Sequence, residues 1–221
     1  MARSSGQRLL GFDRKLDARF VAGADEAGRG SLAGPLVVAG VLLDYESLRD
    51  HRVRPLALLN DSKQLSQEER QELFRAVVGC AAKIAVRMYS AREIDRNGLH
   101  RSNLAGMRSC LAALAPPDEV VCVVDGFRLG PSAPPHRAIV DGDTKSAAIA
   151  AASIVAKVVR DRAMRRMDAV FPHYGFSSHV GYITPNHSAA VRARGPSHIH
   201  RRSFQALCYA DLAETGVRAA S

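Results

Sequence analysis

An apolar run, Phe20-Val21-Ala22-Gly23-Ala24, leads directly into Asp25-Glu26-Ala27-Gly28-Arg29-Gly30. The run reads as a strand. Two adjacent carboxylates at a strand end are costly to bury unless water, a cation or a partner charge meets them. The two glycines that flank Arg29 let the backbone turn sharply and approach a ligand closely. Carboxylates suggest a hard metal ion, and a glycine-arginine loop beside them suggests a phosphate or a sugar edge. The combination points to metal-assisted chemistry on a nucleic acid backbone. One tension is built in. Neighbouring strand residues point to opposite faces, so Asp25 and Glu26 share a site only if the strand ends or bulges there.

The rest of the chain predicts the frame for that segment. Leu36 to Leu43 is a continuous apolar run, as expected of a buried strand. Ile84, Val86 and Met88 alternate with Ala85 and Arg87, the pattern of a half-exposed strand. Val120 to Val124 runs into Asp125, and the short run Ala138-Ile139-Val140 ends near Asp143. Between them, Ser66-Gln67-Glu68-Glu69 is a capping box ahead of Leu73, Phe74, Val77 and Val78 at helical spacing. Asn103 to Leu114 is a second helix. The clearest helix is Thr144 to about Met167, with an apolar stripe through Ala147, Ala150, Ala151, Ile154, Val155, Val158 and Val159. Helical character returns at Pro185 to Arg194 and Phe204 to Glu214. The order implies an α/β fold with a mixed β-sheet flanked by helices, plus a C-terminal helical substrate-binding segment. We divide it as an N-terminal extension (1–19), a catalytic core (20–168) and a substrate-contacting segment (169–221) within the same compact unit.

Composition bounds the partners. The chain has 221 residues, of which 47% are apolar, enough to fill a real core. No stretch resembles a transmembrane span, and the polar start reads as no signal peptide. Cys80, Cys110, Cys122 and Cys208 are scattered, which fits a reducing cytoplasm and argues against a structural zinc site. The net charge is +9. Nine basic residues against two acids between Lys157 and Arg202 place most of the excess in the C-terminal third. That excess fits a polyanion, although Arg162 to Arg166 reads rather as a solvated helix face.

Asp25, Asp125 and Asp143 each end a strand or follow one. Ligands of open α/β sheets bind beyond the carboxyl ends of strands. Taken singly, Asp143 suits a helix N-cap and Asp125 a turn before Gly126. Four acids converging on one sheet edge would repel each other and need cations, and hard Mg²⁺ or Mn²⁺ takes carboxylate oxygens. Asn60-Asp61-Ser62-Lys63-Gln64-Leu65 is a polar loop suited to phosphate contacts or to a plain turn before the capped helix. Tyr174 and Tyr182, set among glycines, suit stacking on bases or sugars, or packing under a loop. Five of the eight histidines lie at His173, His179, His187, His198 and His200. No acid or cysteine shares a metal-ligand spacing with them.

These blocks together closely resemble ribonuclease HII. They are Asp25 to Gly30 with Ala33-Gly34-Pro35, then Asn60 to Leu65, Val124-Asp125-Gly126, Gly142-Asp143-Thr144-Lys145-Ser146, Ala150 to Asp161, His179-Val180-Gly181-Tyr182 and Ile199 to Phe204. They occur in the family's order over about residues 20–207. The resemblance implies a ribonuclease H-like fold and an endonuclease that cuts the RNA strand of RNA–DNA hybrids. It also implies cutting 5′ of ribonucleotides embedded in duplex DNA, in support of their removal. Asp25, Glu26, Asp125 and Asp143 would be the catalytic carboxylates and would hold Mg²⁺ or Mn²⁺. Gly28, Arg29, Gly30, Asn60, Ser62, Lys63 and Tyr182 would contact substrate. Val180 departs from the lysine the family often has there. We expect a cytoplasmic monomer without membrane contact. Two other readings stay open on the residues alone: a related nuclease acting on all-DNA substrates, and a nucleic-acid-binding protein without catalysis.

Overall fold

The computed structural model describes residues 4–48, 55–59, 65–114 and 120–215. The chain divides into two compact units. The first comprises Met1–Ala27, Val37–Arg87 and Asn103–Val158; the second comprises Gly28–Leu36, Met88–Ser102 and Val159–Ser221. The last stretch of the second unit starts inside the long helix, at Val159. The unit also takes in the glycine-arginine loop.

The first unit is built on a sheet of order β3-β2-β1-β4-β5, where β1 is Phe20–Ala27, β2 Leu36–Asp44, β3 Lys83–Tyr89, β4 Val120–Asp125 and β5 His136–Ile139. β1 pairs antiparallel with β2 and parallel with β4, and β4 pairs parallel with β5, so the sheet is mixed. β2 is buried from Leu36 to Leu43, as its unbroken apolar run requires. The helices are α1 Ser5–Arg14, α2 Gln67–Cys80, α3 Ala91–Asn97, α4 Leu99–Leu114, α5 Ala147–Val170, α6 Phe176–His179, α7 Pro185–Arg194 and α8 Leu207–Thr215. Ser66 caps α2 through the reciprocal bonds with Glu69 that the sequence predicts.

The segment read as an extension holds α1, whose Leu9, Leu10 and Asp13 are buried. Asp13 reaches the start of α5: its Oδ2 accepts the Ala148 N–H at 2.9 Å and the Tyr45 hydroxyl at 2.8 Å. A carboxylate at a helix N-terminus satisfies an otherwise orphaned donor and complements the helix dipole. Ser146 Oγ accepts from the Ile149 N–H. Asp143 is therefore not the cap of α5; it lies in a separate 3-10 turn, Gly142–Thr144. The same end of α5 presses on β1 at Gly23, where a Cβ would collide with the backbone of Ala148 and Ile149.

The second unit has its own apolar core, centred on Leu32, Met164, Phe176, Val180, Val191 and Leu212. Tyr174 belongs to it: its ring stacks on Phe176 at 5.5 Å and its hydroxyl donates to the Gly195 carbonyl. Of the two loop tyrosines, this one packs rather than presenting a face to a ligand.

Burial raises the Asp13 carboxyl to about 6, against the hydrogen bonds that lower it. The folded state binds this proton more tightly than the unfolded chain, so the stability it confers is full below about pH 4 and is lost as pH rises through 6. Asp13→Asn removes the titration. The unfolding free energy of the wild type relative to Asp13→Asn should therefore rise by about 2 kcal/mol between pH 7 and pH 4.5. Urea titrations of both proteins at the two pH values measure it.

Candidate active site

The parallel register of β1 on β4 ends at Ala24 opposite Val124. The next residue on each strand is an aspartate, Asp25 and Asp125. In-register residues on adjacent strands face the same side of a sheet, so these two carboxylates stand side by side at the carboxyl edge. β5 continues beside Asp125 as far as Ile139. The 3-10 turn then folds back, and its Gly142 N–H donates to Asp125 Oδ1 at 2.6 Å. That bond fixes the Asp125 rotamer and places Asp143, itself buried, in the adjoining turn.

Glu26 behaves differently from the reading that required a break in the strand. β1 runs without interruption through Asp25 opposite Ala39, Glu26 opposite Val38 and Ala27 opposite Val37. Alternation alone would direct Glu26 away from Asp25, yet its charge is the first to act on the Asp25 carboxyl, ahead of that of Asp125, so the two groups lie close.

Asp25 is the focus of the cluster. Only 6% of it is exposed. Burial, then the charges of Glu26 and Asp125, hold its carboxyl well above the usual carboxylate range. The Glu26 N–H, at 2.7 Å from Oδ1, and the Ser153 hydroxyl act in the opposite sense. Among the described residues no three His, Cys, Asp or Glu side chains stand in a ligand arrangement. The donor set is nevertheless all carboxylate oxygen around a buried, mutually repelling pair. That chemistry suits a hard divalent cation and does not suit zinc.

The second unit carries the loop and Tyr182. Gly28 has φ +88 and lies against Arg160, whose Nε a Cβ there would strike. Arg160 is fully buried and donates from Nε to the Pro35 carbonyl, from Nη1 to Val180 and from Nη2 to Ala33. Its guanidinium lies 5.1 Å from the centre of the half-buried Tyr182 ring. Val180 has φ +43, a strained conformation for a β-branched residue, and the Arg160 bond to its carbonyl helps hold it there. Val180 is also buried in the second unit's core, so its side chain packs inward.

The histidines form a positioning chain. Ser197 N–H donates to His200 Nδ1 at 3.0 Å. His200 must then carry its proton on Nε2, which faces His187 Nε2 at 3.0 Å. His187 in turn donates from Nδ1 to the Tyr182 carbonyl at 2.8 Å. Both rings are neutral, since burial pushes His187 down to about 4 and His200 down to about 3.

Asn60, Ser62 and Lys63, expected to contact substrate, lie outside the described residues. Sequence reasoning missed Ser153 and the burial of Arg160 and Arg201, which it counted among the nine basic residues facing a polyanion. The signal was available for Arg160. Ser153, Ala156, Arg160 and Met164 recur at helical spacing, and all four are buried.

Comparison with known proteins places the chain in a family. The ribonuclease HII family model matches residues 22–207. A ribonuclease HII of Rhizobium johnstonii is 46% identical over 188 residues, 85% of this chain and 78% of the relative. One of Salinispora tropica is 48% identical over 199 residues, 89% of this chain and 72% of the relative. Among solved structures, the complex of PCNA with RNase HII from Archaeoglobus fulgidus aligns with TM-score 0.70 and 27% identity, covering 85% of this chain and 96% of that one. Ribonuclease H2 from Pyrococcus horikoshii aligns with TM-score 0.69 and 25% identity, covering 90% and 100%. The sheet with acids at its carboxyl edge is the ribonuclease H fold, the scaffold of a class of hydrolases. The chain belongs to the ribonuclease HII family.

A test of the cation assignment needs no substrate. Asp25→Asn removes one charge from a repelling, buried cluster, so it should stabilise the cation-free protein by about 1 kcal/mol. It should also abolish the rise in melting temperature that Mg²⁺ or Mn²⁺ gives the wild type. A wild-type response by the variant would remove Asp25 from the ligand set.

Proposed function

We propose that this protein is an endoribonuclease that hydrolyses the RNA strand of RNA–DNA hybrids and cuts on the 5′ side of ribonucleotides embedded in duplex DNA. The observation that carries the reading is the in-register pair Asp25 and Asp125, with Asp143 in the turn bonded to Asp125. Asp25, Glu26, Asp125 and Asp143 would hold Mg²⁺ or Mn²⁺. Held there, such a cation would supply the Lewis acidity that activates a water and the charge that favours departure of the 3′ oxygen. The carboxylates confine the charge to the scissile position. The Ser153 hydroxyl and the Gly142 N–H fix the rotamers of Asp25 and Asp125, so that orientation is set before substrate arrives. Water as the nucleophile leaves 3′-hydroxyl and 5′-phosphate ends.

The 2′-hydroxyl distinguishes RNA from DNA because it both donates and accepts hydrogen bonds. Gly28, Arg29 and Gly30 present backbone groups to it, and Tyr182 packs against the neighbouring sugar. Asn60, Ser62 and Lys63 contact the phosphate backbone. Exposed Arg162, Arg166, Arg192, Arg194 and Arg202 supply the positive surface for the duplex. The four cysteines are free thiols, in keeping with a reducing cytoplasm, and no described helix is long and apolar enough to cross a membrane.

A duplex with one embedded ribonucleotide, beside its all-DNA twin, tests the reading with Mg²⁺ or Mn²⁺ and then with a chelator. We expect cation-dependent cutting of the first duplex only. Asp125→Asn should lower turnover by about a thousandfold or more while sparing duplex binding. Tyr182→Ala should blur discrimination at a single ribonucleotide more than it weakens general duplex affinity. A 2′,3′-cyclic phosphate end would overturn the water mechanism. Efficient cutting of the all-DNA twin would favour the broader nuclease, and binding without cation-dependent cutting would favour the non-catalytic binder.

A further inference from the structure

Among the described residues, Arg160 and Arg201 are the two largest fully buried side chains, and both belong to the second unit. Burying two like charges near each other is expensive. Burial and then the charge of Arg160 push Arg201 down to about 9. Four of the pair's five hydrogen bonds go to backbone carbonyls between Arg29 and Pro35. Arg201 donates from Nε to the Gly34 carbonyl and from Nη1 to the Arg29 carbonyl, both at 3.0 Å. Arg160 holds Ala33, Pro35 and Val180. Arg201 is itself pinned: the next two residues donate N–H bonds to the Asp95 carboxylate.

The bond to Arg29 has a directional consequence. A trans peptide is planar, with its carbonyl and the following N–H pointing opposite ways. With the Arg29 carbonyl drawn to a buried guanidinium, the Gly30 N–H must point away from it. Gly30 is itself exposed, and the space where a side chain would stand on it is open.

We propose that Arg201, supported by Arg160, is a specificity-determining positioning residue: its Nη1 bond to the Arg29 carbonyl turns the Gly30 N–H outward as the donor that meets the ribose 2′-hydroxyl. The inference rests on the reading above that the loop recognises a ribonucleotide. It goes further in naming the atom presented and the side chain that presents it. Lysine cannot replace Arg201, because an ammonium lacks the rigid planar fork that holds two carbonyls at once. Arg160 extends the same control to Tyr182 by holding the carbonyl of Val180, two residues before it, and by lying against the ring.

The test compares Arg201→Lys and Gly30→Pro with the wild type on the single-ribonucleotide duplex and its all-DNA twin. Proline removes the N–H donor without touching Arg201. Arg201→Lys should lower kcat/KM on the ribonucleotide duplex by about tenfold or more while leaving the Kd for the all-DNA twin within about twofold. A general loss of folded protein would lower both together. Gly30→Pro should lose discrimination in the same way. If Gly30→Pro loses it and folded Arg201→Lys does not, the positioning role is wrong while the loop reading stands. If Gly30→Pro keeps wild-type discrimination, the loop reading fails as well. Should Arg201→Lys not fold by urea titration, amide exchange of the protein carrying Asp125→Asn, which prevents turnover, decides the matter. The Gly30 N–H should exchange freely without substrate and be slowed by the ribonucleotide duplex but not by its twin. Protection without substrate, by both duplexes or by neither, would overturn the proposal.

Discussion

The parallel pairing of β1 with β4 is the constraint on which the rest of the site depends. Its register carries Ala24 onto Val124, and each strand then places an aspartate one step beyond. Shifting that register by one residue would send one of the two carboxylates to the other face of the sheet. Burial of both strands excludes the slip, since Val21 and Ala24 on β1 and Val123 and Val124 on β4 are inaccessible to solvent. Two acids are thus held side by side by the apolar packing of the residues that precede them on each strand. The repulsion between them is a cost imposed by the register, and it is visible in the raised Asp25 carboxyl.

The first turn of α5 supports that arrangement from the core. Gly23 lets the start of the helix come onto β1, and Asp13 satisfies the Ala148 N–H in the same place. One turn further along, Ser153 reaches Asp25. A single helix therefore links a structural carboxylate near its N-terminus to a chemical one by spacing alone. Later in the same helix, Arg160 serves the second unit by the opposite means, donating to carbonyls where Asp13 accepts from amides.

Much of this was legible in the sequence. Continuous apolar runs marked β2 and β4, the Ser66–Glu69 box marked α2, and Pro185 to Arg194 matched α7. The acids were legible because each sits at the end of a recognisable run. Periodicity failed where a residue's environment comes from distant chain. Nothing local in α1 shows that Asp13 will cap α5, more than a hundred residues away in sequence. Strand alternation was legible at Asp25 and Glu26 as a conflict, but the sequence could not show that β2 would carry β1 straight through both residues. The tyrosines looked alike in sequence and separated in the structure, because Tyr174 finds a hydrogen-bond acceptor in the Gly195 carbonyl within an apolar core, while Tyr182 lies over a guanidinium.

Charge counting misleads for a related reason. Arg160 and Arg201 inflate the basic C-terminal third as if they faced a polyanion, yet both are fully buried. The charges that reach solvent are fewer, and they lie in exposed positions such as Arg162, Arg166 and Arg202. The buried pair acts through hydrogen-bond direction. Each guanidinium turns peptide planes, and a turned peptide is a recognition element that carries no net charge of its own. Phosphate attraction is indifferent to the sugar, whereas a fixed N–H can distinguish a hydroxyl from a hydrogen. On the proposed reading, long-range affinity and ribose selectivity would draw on different arginines of the same unit, separated by whether the side chain faces water or backbone.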